Sequence, residues 1–399
     1  MGMPTKTVEI APGVIWVGVE DWQRRLFDCL IPLPYGTSYN AYLVVGREKV
    51  ALIDTTNPGF ETELIAKVAS VVNIEKLDYL VMNHAEPDHA GAIPQVMATA
   101  PNAKLVTTKR GAEMAEVFYH VPADKRLVVK EGDTIDLGGK TLRFIEAPWL
   151  HWPETMFTFA IEDRVLFPCD FFGSHLASDK LFDDEVDDVL LAEAKRYYAA
   201  IMMPFTKMVT AGLDKAKAAK AKVVAPSHGP VYRNPERIIS AYEKWARGPL
   251  EKKAVVAYVS MWGSTRQLAQ AVTSAISDEG IEAVPYDLTA ADTSHIARDL
   301  VDASAIVLGS PTVLGGLHPL ATYALTLVKA IRPRAKLAAY FGSFGWGGGA
   351  ASQAKSLLEP AGFEIVAALE IKGRPQGKEI ADAVELGRKV AQRVKQGTL

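Results

Sequence analysis

Cysteine is nearly missing from this chain. Two occur in 399 residues, Cys29 and Cys169, and neither sits in a C-x-x-C pair. That excludes a disulfide framework and a cysteine-built structural zinc site, and makes a reducing cytoplasm the default expectation. Long apolar runs are missing too, since none approaches the ~18 residues of a membrane-spanning helix. The opening Met-Gly-Met-Pro-Thr-Lys has no apolar core for a signal peptide, and Gly2 lacks the Ser or Thr of a myristoylation motif. An excess of one charge is also absent. The 44 Lys and Arg against 47 Asp and Glu leave a net charge of -3, so no broad basic footprint for nucleic acid exists. The basic runs, Lys215 to Lys222 and Lys252-Lys253, are short, and the first reads as the exposed face of a helix. There is no G-x-S-x-G, no Cys–His pairing, no internal repeat and no low-complexity tract.

What is present is apolar substance for two cores. With 49% hydrophobic residues over 399 positions, the chain suits two domains rather than one. Its character changes near residue 250. Before it, short strand-like runs such as Ala41-Tyr-Leu-Val-Val45, Val50-Ala-Leu-Ile-Asp54 and Met156-Phe-Thr-Phe-Ala160 interleave with helical patterns such as Phe60 to Ala69. A stretch from Val186 to about Lys220 reads as helix broken near Pro204. Ala246-Arg-Gly-Pro-Leu-Glu-Lys-Lys253 reads as a linker, with Gly and Pro interrupting a polar run. After it, strands at 254–259, 282–286, 304–309, 336–342 and 364–370 alternate with helices, the pattern of a parallel, doubly wound sheet. The expectation is therefore a domain of residues 1–250 with mixed strands and outer helices, then an α/β domain of residues 251–399.

The densest chemistry lies in His84-Ala-Glu-Pro-Asp-His89, four metal-ligand types in six residues after an apolar run. Residues two apart on an extended chain share a side, so His84 and Glu86 face one metal, and Asp88 and His89 reach a second. Two acids beside two imidazoles are costly to pack unless a cation compensates. His151, Asp170 and His228 follow at the C-terminal ends of predicted strands, where loops present side chains without disturbing a ladder. Four histidines and three carboxylates supply six terminal ligands and one bridge.

The second half has its own constellation. Ala254-Val-Val-Ala-Tyr-Val259 runs into Ser260, Met261, Trp262, Gly263, Ser264 and Thr265, then into a helix. Hydroxyls and backbone N–H groups at a helix start make an anion site. The loop lacks the Lys of a nucleoside-triphosphate P-loop and the G-x-G-x-x-G of a dinucleotide fold. Two further loops leave strand ends: Pro311, Thr312, Val313, Leu314 and Gly315, then Ser343, Phe344, Gly345, Trp346, Gly347 and Gly348. Their glycines permit close approach to a flat ring. Trp346 suits a ring contact, or else a buried staple within its loop.

The H-x-E-x-D-H signature with its separated His, Asp and His resembles the metallo-β-lactamase-like fold. Within that fold, Glu86 in place of a histidine looks like the flavodiiron proteins, a harder donor set suited to iron. The Ser-Pro-Thr and Gly-Trp-Gly-Gly-Gly-Ala loops are similar to that family's flavodoxin-like half, so the likeness spans nearly the whole chain. It implies an N-terminal αββα sandwich followed by a flavodoxin-like sheet that binds FMN through a hydroxyl-rich phosphate loop. It also implies a non-haem diiron centre. His84, Glu86 and His151 would hold one iron, Asp88, His89 and His228 the other, and Asp170 would bridge them. Tyr197 matches a family tyrosine whose hydroxyl lies near the iron pocket, and Asp54 resembles the supporting Asp of the lactamase-like fold. The implied activity is reduction of dioxygen to water, of nitric oxide to nitrous oxide, or both. A head-to-tail homodimer, or a dimer of such dimers, is implied as well. With no Cys-rich or flavin-reductase segment in the chain, the electron donor is expected to be separate, a rubredoxin-like protein or a reduced deazaflavin. One departure stands out: Asp28 occupies a place where many members carry a histidine near the iron pocket. Two other readings use the same residues, a dinuclear zinc hydrolase fused to a flavodoxin module and a gas-binding sensor without turnover. His120, His295 and His318 are read as surface or packing residues, and His175 as a supporting or loop-anchoring one.

Overall fold

In the computed structural model, residues 6–397 are described; residues 1–5, Gly2 among them, and 398–399 lie outside. The chain divides into two compact units. One takes the residues up to Tyr198 together with Phe205–Ala246, and the other takes Ala199–Pro204 and everything from Arg247 on.

The first unit is built on two sheets. Seven strands run in the order Val8–Ala11, Val14–Trp16, Tyr42–Val45, Val50–Ile53, Tyr79–Val81, Lys104–Thr107, Arg126–Val128. The first four pair antiparallel and the last joins are parallel. Five more form the second sheet, Thr134–Asp136, Thr141–Glu146, Met156–Ala160, Val165–Phe167 and Val223–Val224. Alternation explains the layers. Tyr42, Val44, Ala51, Ile53, Val81 and Val106 join Phe144, Met156, Val165 and Phe167 in one core between the sheets. Leu43, Leu52, Leu80 and Leu105 turn the other way, against Leu64, Val68, Val96 and Ala115 of the outer helices. A strand buried on both faces reads apolar at every position, which is why these runs show so little polar alternation. The product is the expected αββα sandwich.

Two local expectations need correction. The helix from Val186 does not simply break at Pro204. It runs Val189–Tyr197, widens into a π-turn at Tyr198–Met202, tightens into a 3₁₀ turn at Met203–Phe205, and resumes as Thr206–Ala219. The linker also shrinks. Ala246 and Arg247 complete the helix Pro235–Arg247 and Glu251 begins a strand, leaving residues 248–250. Lys253, in the short Lys252-Lys253 run, is buried with its Nζ 3.1 Å from Asp302; the charge is tolerated there because it is paired.

The second unit carries five parallel strands in the order Glu282–Asp287, Glu251–Tyr258, Ala303–Gly309, Leu337–Phe344, Glu364–Lys372. Numbered along the chain this is 2-1-3-4-5, the flavodoxin-type order, whose ligand crevice lies beyond the carboxyl ends of the strands. The helices Ser264–Asp278 and Gly377–Lys395 cover one face, their Leu268, Val272, Leu386 and Val390 packing on Val256, Val307 and Ala339.

Candidate functional site

The seven proposed ligands come from four loops, three of them tied to neighbouring segments as follows. Two residues beyond the strand Tyr79–Val81 lies Asn83, whose N–H and Nδ2 donate to Asp54 at 2.8 and 3.0 Å and whose side-chain oxygen accepts from Thr158 at 2.7 Å. This aims the following residues, His84 in the loop and Asp88 and His89 in the short helix Pro87–Ala90. His228 sits in a turn nailed to the segment before the strand Tyr42–Val45. Asn40 Nδ2 donates to Pro226 O and Gly229 O, Tyr42 donates to Pro226 O, and Gly229 N donates to Ser38 Oγ at 2.7 Å. The Asp170 turn is held by Gly173 N to its own carbonyl at 2.9 Å and by Ser227 N to Cys169 O. Asp54 thus stands behind the site rather than in it, and burial lifts its carboxyl to about 6.

The resulting geometry separates into two groups around one carboxylate. Asp170 Oδ2 lies 3.4 Å from His84 Nε2 and 3.6 Å from His151 Nε2, and both rings approach Glu86 Oε2, at 3.1 and 3.0 Å. Asp170 Oδ1 lies 3.0 Å from His89 Nε2 and 3.4 Å from His228 Nε2, and Asp88 meets those rings at 3.3 and 3.2 Å. Donor atoms ~2.1 Å from a shared metal stand about 3.0–3.4 Å apart at tetrahedral to octahedral angles, and this spacing matches. Both oxygens of Asp88, Asp170 Oδ2 and His89 Nδ1 are buried without a hydrogen-bond partner. A buried unpartnered carboxylate is costly, and a cation at the centre of each group would satisfy it. The residues therefore fit a pair of metal ions.

Orientation is supplied from outside the two groups. His84 Nδ1 is 2.7 Å from Glu154 Oε1, which also accepts from Ala85 N at 2.9 Å. His228 Nδ1 lies 2.6 Å from Ser38 O. Each contact keeps the proton on Nδ1 and leaves the Nε2 lone pair facing inward. Glu154 was not visible as a site residue in the sequence; its only signal is an acid three places after His151. Tyr197 donates to Asp170 Oδ1 at 2.6 Å, so its hydroxyl is committed to that carboxylate. His175 is buried, packs on the rings of Tyr197 and His228 at 4.8 and 4.9 Å, and bonds Thr37 Oγ1 through Nδ1 at 2.9 Å. Burial and the neighbouring His228 hold it well below the usual imidazole range, hence neutral. Burial, then Glu86 and Asp88, raise the Asp28 carboxyl, which places that residue electrostatically beside the first ligand cluster. His120 is exposed at a helix end, and His318 caps the helix Pro319–Ile331 by accepting from Leu320 N.

In the second unit a cavity of about 370 Å³ opens at the carboxyl ends of the strands. Ser260, Met261, Trp262, Ser264, Thr265, Pro311, Thr312, Ser343, Phe344, Gly345 and Trp346 line it. Gly263, Val313, Leu314, Gly315, Gly347 and Gly348 stand outside that lining, whereas Gly373 and Arg374, not singled out from the sequence, belong to it. Trp346 is 95% exposed, which overturns the buried-staple alternative, and Trp262 is 91% exposed. Two large apolar rings presented to solvent beside one cavity mark a binding surface. Ser260 Oγ accepts from Gly263 N and Arg266 N, shaping the loop at the start of the helix Ser264–Asp278. The aromatic rim suits a planar ring, and the helix start suits a phosphate.

An αββα unit with two carboxylate–histidine clusters that could hold metal ions, and a flavodoxin-type unit with an aromatic-rimmed crevice, define a protein of two distinct α/β halves. The comparisons with known proteins agree. Residues 37–229 match the family described as ODP family beta lactamase, and residues 256–387 match Flavodoxin. A nitric oxide reductase of Moorella thermoacetica is 40% identical, over 98% of this chain and 99% of its own. Among solved structures, rubredoxin oxygen:oxidoreductase from Desulfovibrio gigas superposes with a TM-score of 0.95 at 31% identity, covering 98% of this chain and 99% of that one. The flavodiiron protein from Giardia intestinalis gives 0.93 at 30% identity, with the same coverage. The chain belongs to the flavodiiron protein family and is an oxidoreductase. No helix among the described residues is long and apolar enough to cross a membrane.

Proposed function

We propose that this chain is a flavodiiron reductase of dioxygen, nitric oxide or both, with a metal-binding part of residues 1–250 and an FMN-binding part of residues 251–399. The observation that carries the reading is the division of donors around Asp170, two imidazoles on each of its oxygens, with Glu86 beside one pair and Asp88 beside the other. His84, Glu86 and His151 would hold one iron and Asp88, His89 and His228 the other. The names of two relatives support the two gases, nitric oxide in one and oxygen in the other.

When bound, the adjacent irons supply redox-active cations with open positions for one small oxidant, and FMN supplies a store of electrons. The protein's own groups set the conditions. Three carboxylates among the seven donors offset the cationic charge and favour oxygen-preferring iron over a softer metal. Glu154 and Ser38 O orient His84 and His228. Tyr197 holds Asp170 in place by donating its proton to Oδ1. His175, neutral and buried, walls the His228 side without adding charge. Reduction of dioxygen to two waters consumes four electrons and four protons; coupling two nitric oxides to nitrous oxide and water consumes two of each. A rubredoxin-like protein is the first donor proposed, as the name of the Desulfovibrio gigas structure suggests, with a reduced deazaflavin as its rival. A cytoplasmic, head-to-tail homodimer, or a dimer of such dimers, completes the proposal.

The test is gas consumption, measured separately for oxygen and anaerobic nitric oxide with a reduced rubredoxin-type donor or a reduced deazaflavin. Turnover of at least one gas is expected, lost in Asp170→Ala. A protein replete in iron and FMN that consumes neither gas with either donor is not a reductase.

A further inference from the structure

Arg374 is the one charged side chain in the lining of the flavin cavity. No hydrogen bond or ion pair ties its guanidinium among the described residues. The other arginine near the cavity mouth is differently placed: Arg266, at the phosphate-loop end, is turned to Asp287 at 3.2 Å. The carboxylate nearest in sequence on the same strand, Glu370, is also engaged, accepting from Thr312 Oγ1 at 2.8 Å and from Gly349 N and Ala350 N at 3.1 and 3.2 Å.

Topology says which end of a bound flavin Arg374 meets. It follows the edge strand Glu364–Lys372, whose Lys372 pairs with Phe344. Gly373 N then donates to Phe344 O at 2.7 Å, fastening this turn beside the loop that carries Gly345 and Trp346. The phosphate loop leaves the strand Glu251–Tyr258, three places away in the sheet order. At a strand spacing of ~4.8 Å the two strand ends are roughly 14 Å apart. We propose, resting on the FMN reading above, that Arg374 contacts the isoalloxazine rather than the phosphate and favours the reduced cofactor over the oxidised one.

The chemistry follows from charge. Uptake of two electrons and one proton, with the electrons coming from the separate donor, leaves one negative charge spread over N1 and the C2 carbonyl of the ring. A planar guanidinium presents paired N–H donors that match such an edge. Oxidised FMN carries no charge there, so a cation at this place discriminates between the redox states. A cation at the phosphate binds both states equally.

The experiment uses the full-length protein and its Arg374→Gln and Arg374→Lys variants. Dissociation constants are measured for oxidised FMN by fluorescence and for reduced FMN through the midpoint potential. Arg374→Gln is expected to weaken reduced FMN at least tenfold more than oxidised FMN, a fall of about 30 mV for a two-electron couple. Arg374→Lys keeps the charge and should recover part of that shift. An unchanged potential overturns the proposal. So does an equal loss of affinity in both states, which would place Arg374 on the phosphate. If the unaltered protein takes up no FMN at all, the reading of the cavity falls, and this proposal with it.

Discussion

Replacing Tyr197 by Phe removes one oxygen atom and one hydrogen bond. That bond runs from the Tyr197 hydroxyl to Asp170 Oδ1 at 2.6 Å, with both residues buried. The ring stays where it is, against His175 at 4.8 Å, so packing is preserved and the readout isolates the bond. A hydrogen bond to a charged group contributes ~1.5–3 kcal/mol, and at 1.4 kcal/mol per decade that is roughly a 10- to 100-fold change in an equilibrium constant. Losing a partner that orients a metal ligand costs about the same, 10- to 100-fold in metal affinity or activity. Because Asp170 serves both metal groups, Tyr197→Phe should weaken iron binding by that factor. FMN occupancy should stay unchanged and serves as the internal control. The assay is iron retained after equilibration against a series of chelator concentrations. An iron affinity equal to that of the unaltered protein would falsify the reasoning and leave this bond without a part in holding iron.

Glu154→Ala strips the partner from both His84 Nδ1 and Ala85 N; iron affinity should fall by about one to two orders of magnitude, measured in the same chelator series, with Glu154→Gln recovering most of it. Glu20 is half-buried beside Ser178, and the loss of solvent around its carboxyl pushes it up to about 8. The folded chain therefore keeps a proton that the unfolded chain releases above about 4.5, so this stability is present in acid and lost as pH rises through 8; Glu20→Gln should flatten the decline of the melting temperature between pH 5 and 8. Flavin released by heat should chromatograph as FMN, because the Ser260–Thr265 loop suits a single terminal phosphate; FAD in its place would overturn the cavity assignment.

Much of the site and fold is legible in the order of the amino acids, for identifiable reasons. His84, Glu86, Asp88 and His89 crowd into one strand-exit segment, and His151, Asp170 and His228 each follow an apolar run, so residue type and strand-end position coincide. The sheet order of the second unit is equally open to inference, since alternating strands and helices leave few parallel topologies. Glu154 is hidden because an acid on a loop is ordinary until folding carries it some seventy residues back to His84. Arg374 is hidden because Gly373-Arg-Pro-Gln-Gly377 carries no hydroxyls and reads as an ordinary Gly/Pro turn. The π-turn at Tyr198–Met202 escapes because a one-residue bulge shifts helical periodicity without changing its composition. Side-chain pairing likewise decides the fate of Lys253, whose burial depends on Asp302 across the sheet.

Iron stoichiometry tests the central claim most directly. Freshly purified, catalytically active protein is analysed for iron and zinc by elemental mass spectrometry, alongside protein and flavin. The donor set around Asp170 predicts two iron atoms per chain, falling together when Asp170 is replaced by Ala. Stoichiometric zinc with no iron in active protein would contradict the account.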